Sequence, residues 1–218
     1  MPPEIDFCPV ELPGRAARFA ERPFTAMSAL IEQLNAALRP LMGVPFAFFG
    51  HSVGSCIAYQ AARQLRSVDQ RGAVHLFVSG RGSPPFASAD RRPARARSDQ
   101  ELLAILHEFG GTPAAVMQCP ELVAALLPAL RADLALVEEY EIAPRDQIAC
   151  AISAFGGADD PACSGSLQSW GNLTRGKFRT CVFPGGHFYF SAAPDALARE
   201  IIQDLLAFAP ASPAGQAI

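Results

Sequence analysis

The stretch Val44-Pro-Phe-Ala-Phe-Phe-Gly-His-Ser-Val-Gly54, followed by Ser55-Cys-Ile-Ala-Tyr-Gln-Ala-Ala-Arg63, constrains the chain more than any other. Its short Phe-rich run predicts a buried strand, and the Ala-rich segment behind it has helical periodicity. Gly50-His51-Ser52-Val53-Gly54 therefore falls on a strand-to-helix turn. So tight a turn is expected to strain Ser52 and to leave no room for a Cβ at Gly50 or Gly54. It pushes the Ser52 hydroxyl out of the sheet. It also aims the amide of Val53, at the start of the helix, at the place where a tetrahedral oxyanion forms. The pattern is that of a nucleophilic serine.

With 218 residues, half of them hydrophobic, the chain suits one domain with a sizeable core. A formal net charge of -3 argues against a nucleic-acid partner. Six cysteines (Cys8, Cys56, Cys119, Cys150, Cys163, Cys181) show neither C-x-x-C pairs nor metal-ligand spacing, and read as reduced core residues of a cytoplasmic protein with no metal site. No apolar run reaches membrane-spanning length, and the first residues have neither the basic nor the apolar region of a signal peptide.

Along the chain, Ile5 to Leu12 reads as a strand, and Phe24 to Leu38 as a helix with Met27, Leu30, Ile31, Leu34 and Leu38 on one buried face. The elbow strand and helix follow, then a strand from Ala73 to Ser79. Alternation of strand and helix predicts a mostly parallel sheet flanked by helices. From residue 81 to about 145 the rhythm changes to helical segments at Asp99 to His107, Pro120 to Leu127 and Pro128 to Glu139, an inserted lid above the carboxyl ends of the strands. The apolar side chains of this lid, such as Leu122, Val123, Leu126 and Leu127, read mostly as helix packing. The sheet resumes from Gln147 to Phe155 and from Phe178 to Phe183, separated by a short helix from Leu167 to Gly171. A helix from Ala193 to Phe208 closes the fold, and the tail from Pro210 is expected to fray.

A serine needs a base in hydrogen-bond reach and an acid to hold that base. In parallel sheets such groups sit on loops at the carboxyl ends of strands. Asp159 and Asp160 follow one such strand, and Pro184-Gly-Gly-His187 follows the next. The order Ser52, Asp, His187 is that of the α/β-hydrolase fold. Gly157-x-x-Asp160-Pro161 favours Asp160, the position at which hydrolases of that fold carry the acid, with Asp159 the alternative. His51 is expected to diverge from the Ser52 hydroxyl, either as a packing residue or as a support behind the reacting groups, and His75 and His107 to be structural. The chemistry implied is acyl transfer to water through an acyl-enzyme, with the Val53 amide as an oxyanion donor.

The motifs Glu11-Leu-Pro-Gly-Arg15, Gly50-His-Ser-Val-Gly54, Gly110-Gly-Thr-Pro113, Pro120-Glu-Leu122, Pro128-Ala-Leu-Arg-Ala-Asp133, Glu139-Tyr140, Phe155-Gly-Gly-Ala-Asp-Asp-Pro161 and Pro184-Gly-Gly-His-Phe-Tyr189 cover nearly the whole chain. In them the chain resembles the type II thioesterases of nonribosomal peptide and polyketide synthesis. That resemblance implies an α/β-hydrolase fold with a helical lid and a Ser52, Asp160, His187 triad. It implies acyl or peptidyl carrier proteins as partners, with phosphopantetheine arriving on the substrate and no cofactor of the enzyme's own. Members of the family carry a further strand and a Pro-x-Ala-Gly-Gly loop ahead of the segment matching Ile5 to Arg15. The resemblance therefore implies a chain truncated at its N-terminus, with Met1 an internal start and a second oxyanion amide missing. A carboxylesterase or acyl-CoA hydrolase would share the triad, and a weakly active fragment would lack the oxyanion loop. Arg91, Arg92, Arg95 and Arg97 form a basic run that reads as a solvated linker or as a steering patch for an acidic carrier protein.

Overall fold

A computed structural model describes residues 2–69, 72–84, 93–138, 147–163 and 166–207, with the backbone alone over 66–69. Arg91, Arg92, Glu139, Tyr140 and the tail from Pro210 lie outside the described residues. Contacts divide the chain into two compact units, Val10–Tyr189, and Met1–Pro9 with Phe190–Ile218.

The larger unit is built on a parallel sheet of β1 (Ala47–His51), β2 (His75–Ser79), β3 (Ala151–Gly157) and β4 (Phe178–Phe183), in the order β1-β2-β3-β4. The register sets His51 beside Ser79, Ser79 beside Phe155 and Gly157 beside Phe183, so the carboxyl ends form one rim. Every residue of β2 and β3 is buried, as expected of central strands covered on both faces, and the polar His75 and Ser153 among them are paired with each other. Among the described residues β1 pairs on one side only, and Phe49 is 39% exposed.

Helices α1 (Met27–Leu38) and α2 (Val53–Asp69) pack Met27, Leu30 and Ile31 against Cys56, Ile57 and Ala61. A second cluster joins Tyr59 to Leu76, Val78, Ile152, Ala154 and Trp170. A cavity of about 610 Å³ between α1, α2 and the segment carrying Leu136 is lined by Met27, Gln60, Arg63 and Leu136, two helical turns down α2 from Ser52.

Between β2 and β3 lie α3 (Asp99–Phe109), α4 (Ala114–Met117) and α5 (Pro120–Glu138). The sequence predicts a break at Pro128, yet α5 runs through it. A proline inside a helix costs about 3 kcal/mol. Burial on both sides outweighs that cost. Val123 and Leu127 pack on Leu102 of α3, and Leu136 and Val137 enter the α1/α2 core, each contributing about 1.5–3 kcal/mol. Leu122 and Leu126 instead face solvent, at 49% and 40% exposure. Ser98 caps α3 in a reciprocal box with Glu101. No helix among the described residues is long and apolar enough to cross a membrane.

In the smaller unit, α6 (Pro194–Leu206) starts on Pro194 and buries Leu197. The strand expected from Ile5 to Leu12 does not form. These residues are irregular, with Phe7 and Val10 70% and 51% exposed, because an extended segment becomes a strand only with a ladder partner. The third strand begins at Ala151 rather than Gln147, since Ile148 makes only an isolated bridge to Thr174 before the chain bends. Only Cys56 and Cys163 of the six cysteines are buried, Cys8 is exposed, and all six are free. Arg97 is not part of a solvated linker, because its guanidinium pairs with Glu138 at 3.3 Å.

The elbow glycines differ from expectation in one respect. A Cβ on Gly50 would fall on the Gly54 carbonyl, whereas a Cβ on Gly54 would meet nothing within 4 Å. Thermal denaturation should therefore separate them. Gly50→Ala is expected to fail to fold or to lose more than about 3 kcal/mol. Gly54→Ala, inside α2, should fold and gain up to about 1 kcal/mol from helix propensity. Equal behaviour of the two variants would contradict this geometry.

Candidate active site

β1 ends at His51 and α2 begins at Val53, so Ser52 alone turns the chain. It does so at φ 53°, a left-handed conformation that costs a residue with a Cβ about 1–2 kcal/mol. Neighbouring hydrogen bonds hold it there. The Ser52 amide donates to the Ser79 carbonyl at 2.8 Å, and the Ser55 amide donates to the Ser52 carbonyl at 3.0 Å. The buried Ser55 hydroxyl lies 2.8 Å from the Gly50 carbonyl and 2.9 Å from the Ser79 carbonyl, and accepts from the Ser79 amide at 3.0 Å. Ser55 thus staples the elbow to the end of β2. Sequence reasoning missed it, although a small hydroxyl three residues after Ser52 sits one helical turn on, where it can reach back.

Asp160 and His187 meet across the loops after β3 and β4, with His187 Nδ1 2.8 Å from Asp160 Oδ2. Both are buried, at 2% and 5% exposure. Asp159, the alternative, is exposed, and its backbone amide donates to the Gly185 carbonyl at 3.0 Å. The Asp160 carboxylate also accepts from the Ala162 amide at 2.9 Å and from the Cys163 thiol at 3.2 Å. Burial pushes its pKa up, but the hydrogen bonds from His187 and Cys163, the electrostatic attraction of His187 and the Ala162 amide outweigh burial and hold it below the ordinary value. An ionised carboxylate only accepts, so the proton sits on His187 Nδ1 and Nε2 is the basic nitrogen.

Ser52 and His187 flank the same turn. Ser52 binds the Ser79 carbonyl, and a Cβ on the next residue, Gly80, would lie 3.2 Å from His187 Cε1. Gly157 is fixed for a similar reason, since a Cβ there would fall on the carbonyls of Gly185 and Gly186 in the loop that carries His187.

His51 packs as expected, its ring 4.7 Å from that of His187 and its Nδ1 2.9 Å from Ser79 Oγ, which in turn lies 2.8 Å from the Tyr189 hydroxyl. His75 is structural too, buried with Nε2 2.9 Å from Ser153 Oγ, and His107 is exposed on α3. At the end of α3 the Phe109 ring lies 4.4 Å from that of His187. Gly111, at φ 79°, passes so close to Phe188 that a Cβ would strike its ring. The inserted helices thereby cover the histidine with aromatic surface, a contact no local pattern announced.

A family model described as a thioesterase domain matches residues 1–205. The chain belongs to the thioesterase family. This thioesterase is 38% identical over 189 residues to the gramicidin S biosynthesis protein GrsT of Aneurinibacillus migulanus, covering 86% of this chain and 73% of that one. It is 34% identical over 185 residues to the human medium-chain S-acyl fatty acid synthase thioesterase, covering 83% and 69%. Among solved structures it superposes on RedJ, a thioesterase from the prodiginine biosynthetic pathway in Streptomyces coelicolor, with a TM-score of 0.78 and 36% identity over 88% and 73% of the two chains. It has the α/β-hydrolase fold and is a hydrolase acting on thioesters.

Burial, then the neighbouring His187, lower the pKa of His51 to about 4, against the opposing pull of Asp160. The unfolded chain takes up this proton near 6.5 and the folded thioesterase resists until about 4. Stability is therefore full above 6.5 and falls as the pH drops between the two values, by roughly 3 kcal/mol. Urea unfolding at pH 7 and pH 4.5 should show a smaller difference for His51→Gln than for the wild type. The same acid dependence in both would assign it to other groups.

Proposed function

We propose that the thioesterase releases acyl groups from the phosphopantetheine arm of acyl or peptidyl carrier proteins, freeing synthases that have stalled. The reading rests on the buried Asp160–His187 pair standing on the same rim as the Ser52 elbow. Its relatives among biosynthetic thioesterases support the carrier-bound substrate. His187 Nε2 takes the Ser52 proton as Oγ attacks the thioester carbonyl, and Asp160 stabilises the imidazolium. The Val53 amide, in the first turn of α2 where amides lack helical acceptors, donates to the oxyanion. Collapse breaks the C–S bond and the imidazolium protonates the departing thiolate of the arm. Water, deprotonated by His187, then adds to the acyl-enzyme; the bond to Oγ breaks, the imidazolium returns the proton to Oγ, and the free carboxylic acid leaves.

The arm arrives with the substrate, so this chemistry needs no cofactor and no metal. In this reading the helices from α3 to α5 form the lid, and the acyl chain passes beneath Phe109. Six free thiols suit the reducing cytoplasm.

Kinetics on an acyl-carrier protein, the matching acyl-CoA and an aryl ester test the reading. Carrier-bound thioester should give the highest kcat/KM. Ser52→Ala and His187→Ala should lower it by about 10³-fold or more, with Asp160→Asn also severely impaired and Asp159→Asn within about threefold of wild type. Activity surviving in Ser52→Ala would overturn the mechanism. Equal rates on acyl-CoA would mark a general acyl-CoA hydrolase, and preference for the aryl ester a carboxylesterase.

A further inference from the structure

The residue pair Asp160–Cys163 adds something to that mechanism. The turn Asp160-Pro161-Ala162-Cys163 closes with the Cys163 amide donating to the Asp160 carbonyl at 3.0 Å, which swings the thiol back to within 3.2 Å of Asp160 Oδ2. That is the same oxygen that accepts from His187 Nδ1 at 2.8 Å, while Oδ1 is held by the Ala162 amide at 2.9 Å. We propose that Cys163 is a positioning residue of the triad: its thiol fixes the rotation of the Asp160 carboxylate and takes up part of the charge that Oδ2 presents to His187. The proposal rests on the assignment of Ser52, His187 and Asp160 made above.

The sulfur is held in place. Cys163 is 6% exposed, and a Cβ on Gly156 would lie only 2.7 Å from Sγ, so β3 packs directly against it. It also stays protonated, because burial and the adjacent carboxylate push its pKa up to about 12. It therefore remains a donor across the working pH range and is a poor nucleophile. A thiol is a weak donor, so Oδ2 keeps most of its charge for the imidazole. The other groups around His187 leave this effect readable. His51 on β1 is neutral above about pH 4, Phe109 and Phe188 carry no charge, and the Tyr189 phenol, pushed up by burial, bonds to Ser79.

The test is the pH profile of kcat/KM for acyl-carrier protein hydrolysis in wild type, Cys163→Ala, Cys163→Val and Cys163→Ser. Loss of the donor in Ala and Val should lower kcat about three- to tenfold with KM unchanged. It should also move the acidic limb up by about half a pH unit, because Oδ2 then holds the imidazolium more strongly. Serine, a stronger donor, should restore kcat and return the limb to the wild-type position or below it. Val fills the space that Ala leaves, so one of the two keeps the test open if the other does not fold. In the wild type, infrared spectra should contain an S–H band at low wavenumber that Cys163→Ser removes.

An unmoved limb in the Ala and Val variants, whether kcat holds or falls with a lowered Tm, would reduce Cys163 to core packing and overturn the proposal. A wild-type enzyme with no acidic limb, or an active Ser52→Ala variant, would instead refute the triad itself. The two failures are thus distinguishable.

Discussion

The backbone of Gly50 comes so close to the Gly54 carbonyl that no side chain fits between them, and the rest of the site is built outward from that contact. The chain can pass from strand to helix within one residue only because this approach is open. Ser52 is consequently forced to a left-handed φ. The start of α2 then hangs over the rim of the sheet, and Ser55, one turn in, reaches both the Gly50 and the Ser79 carbonyls. Parallel pairing in register does the remainder, because strands that end level deliver their following loops to one edge.

The electrostatics of the site follow from burial. An isolated carboxylate as deeply enclosed as Asp160 would be expected to take up a proton, since removing such a charge from water costs several kcal/mol. Three donors reverse this balance: an imidazole, a thiol and a backbone amide. Hydrogen bonds to a charged group contribute about 1.5–3 kcal/mol each, enough to keep Asp160 ionised. His51 meets the same burial without a carboxylate of its own and stays neutral. The site thus holds two imidazoles in different roles, one bonded to the acid and one packed as uncharged aromatic surface. Phe109 and Phe188 complete the enclosure, and a dry surround strengthens every charge interaction within it.

Helix α5 links this chemistry to the body of the protein. Its later half is fixed by Leu136 and Val137 in the core and by a two-point ion pair between Arg15 and Asp133, at 2.8 and 3.1 Å. Its earlier half carries α3, whose last turn presents Phe109 to His187. Arg131 and Glu138 tie the segment from Ala94 to Asp99 along the same helix. The basic run that looked like a surface feature in the sequence is, at Arg97, part of this attachment.

Features set by a few adjacent residues were legible in the chain itself. The apolar run, the glycine at the turn and the helical periodicity beyond it specify the elbow. The order of Ser52, Asp160 and His187, each placed after a strand, follows once alternation implies a parallel sheet. What depends on remote contacts was not legible. Whether Ile5 to Leu12 forms a strand depends on a ladder partner, whether Pro128 breaks its helix depends on burial at both ends, and whether Gly54 tolerates a Cβ depends on what faces it. The sequence by itself determined which groups stand at the carboxyl ends of which strands, because backbone sterics and hydrophobic periodicity act locally. Only the tertiary structure set Asp160 rather than Asp159 against His187, brought Cys163 and Ser55 into play and laid Phe109 on the histidine, because hydrogen bonds and packing between distant segments exist only once the chain has closed on itself.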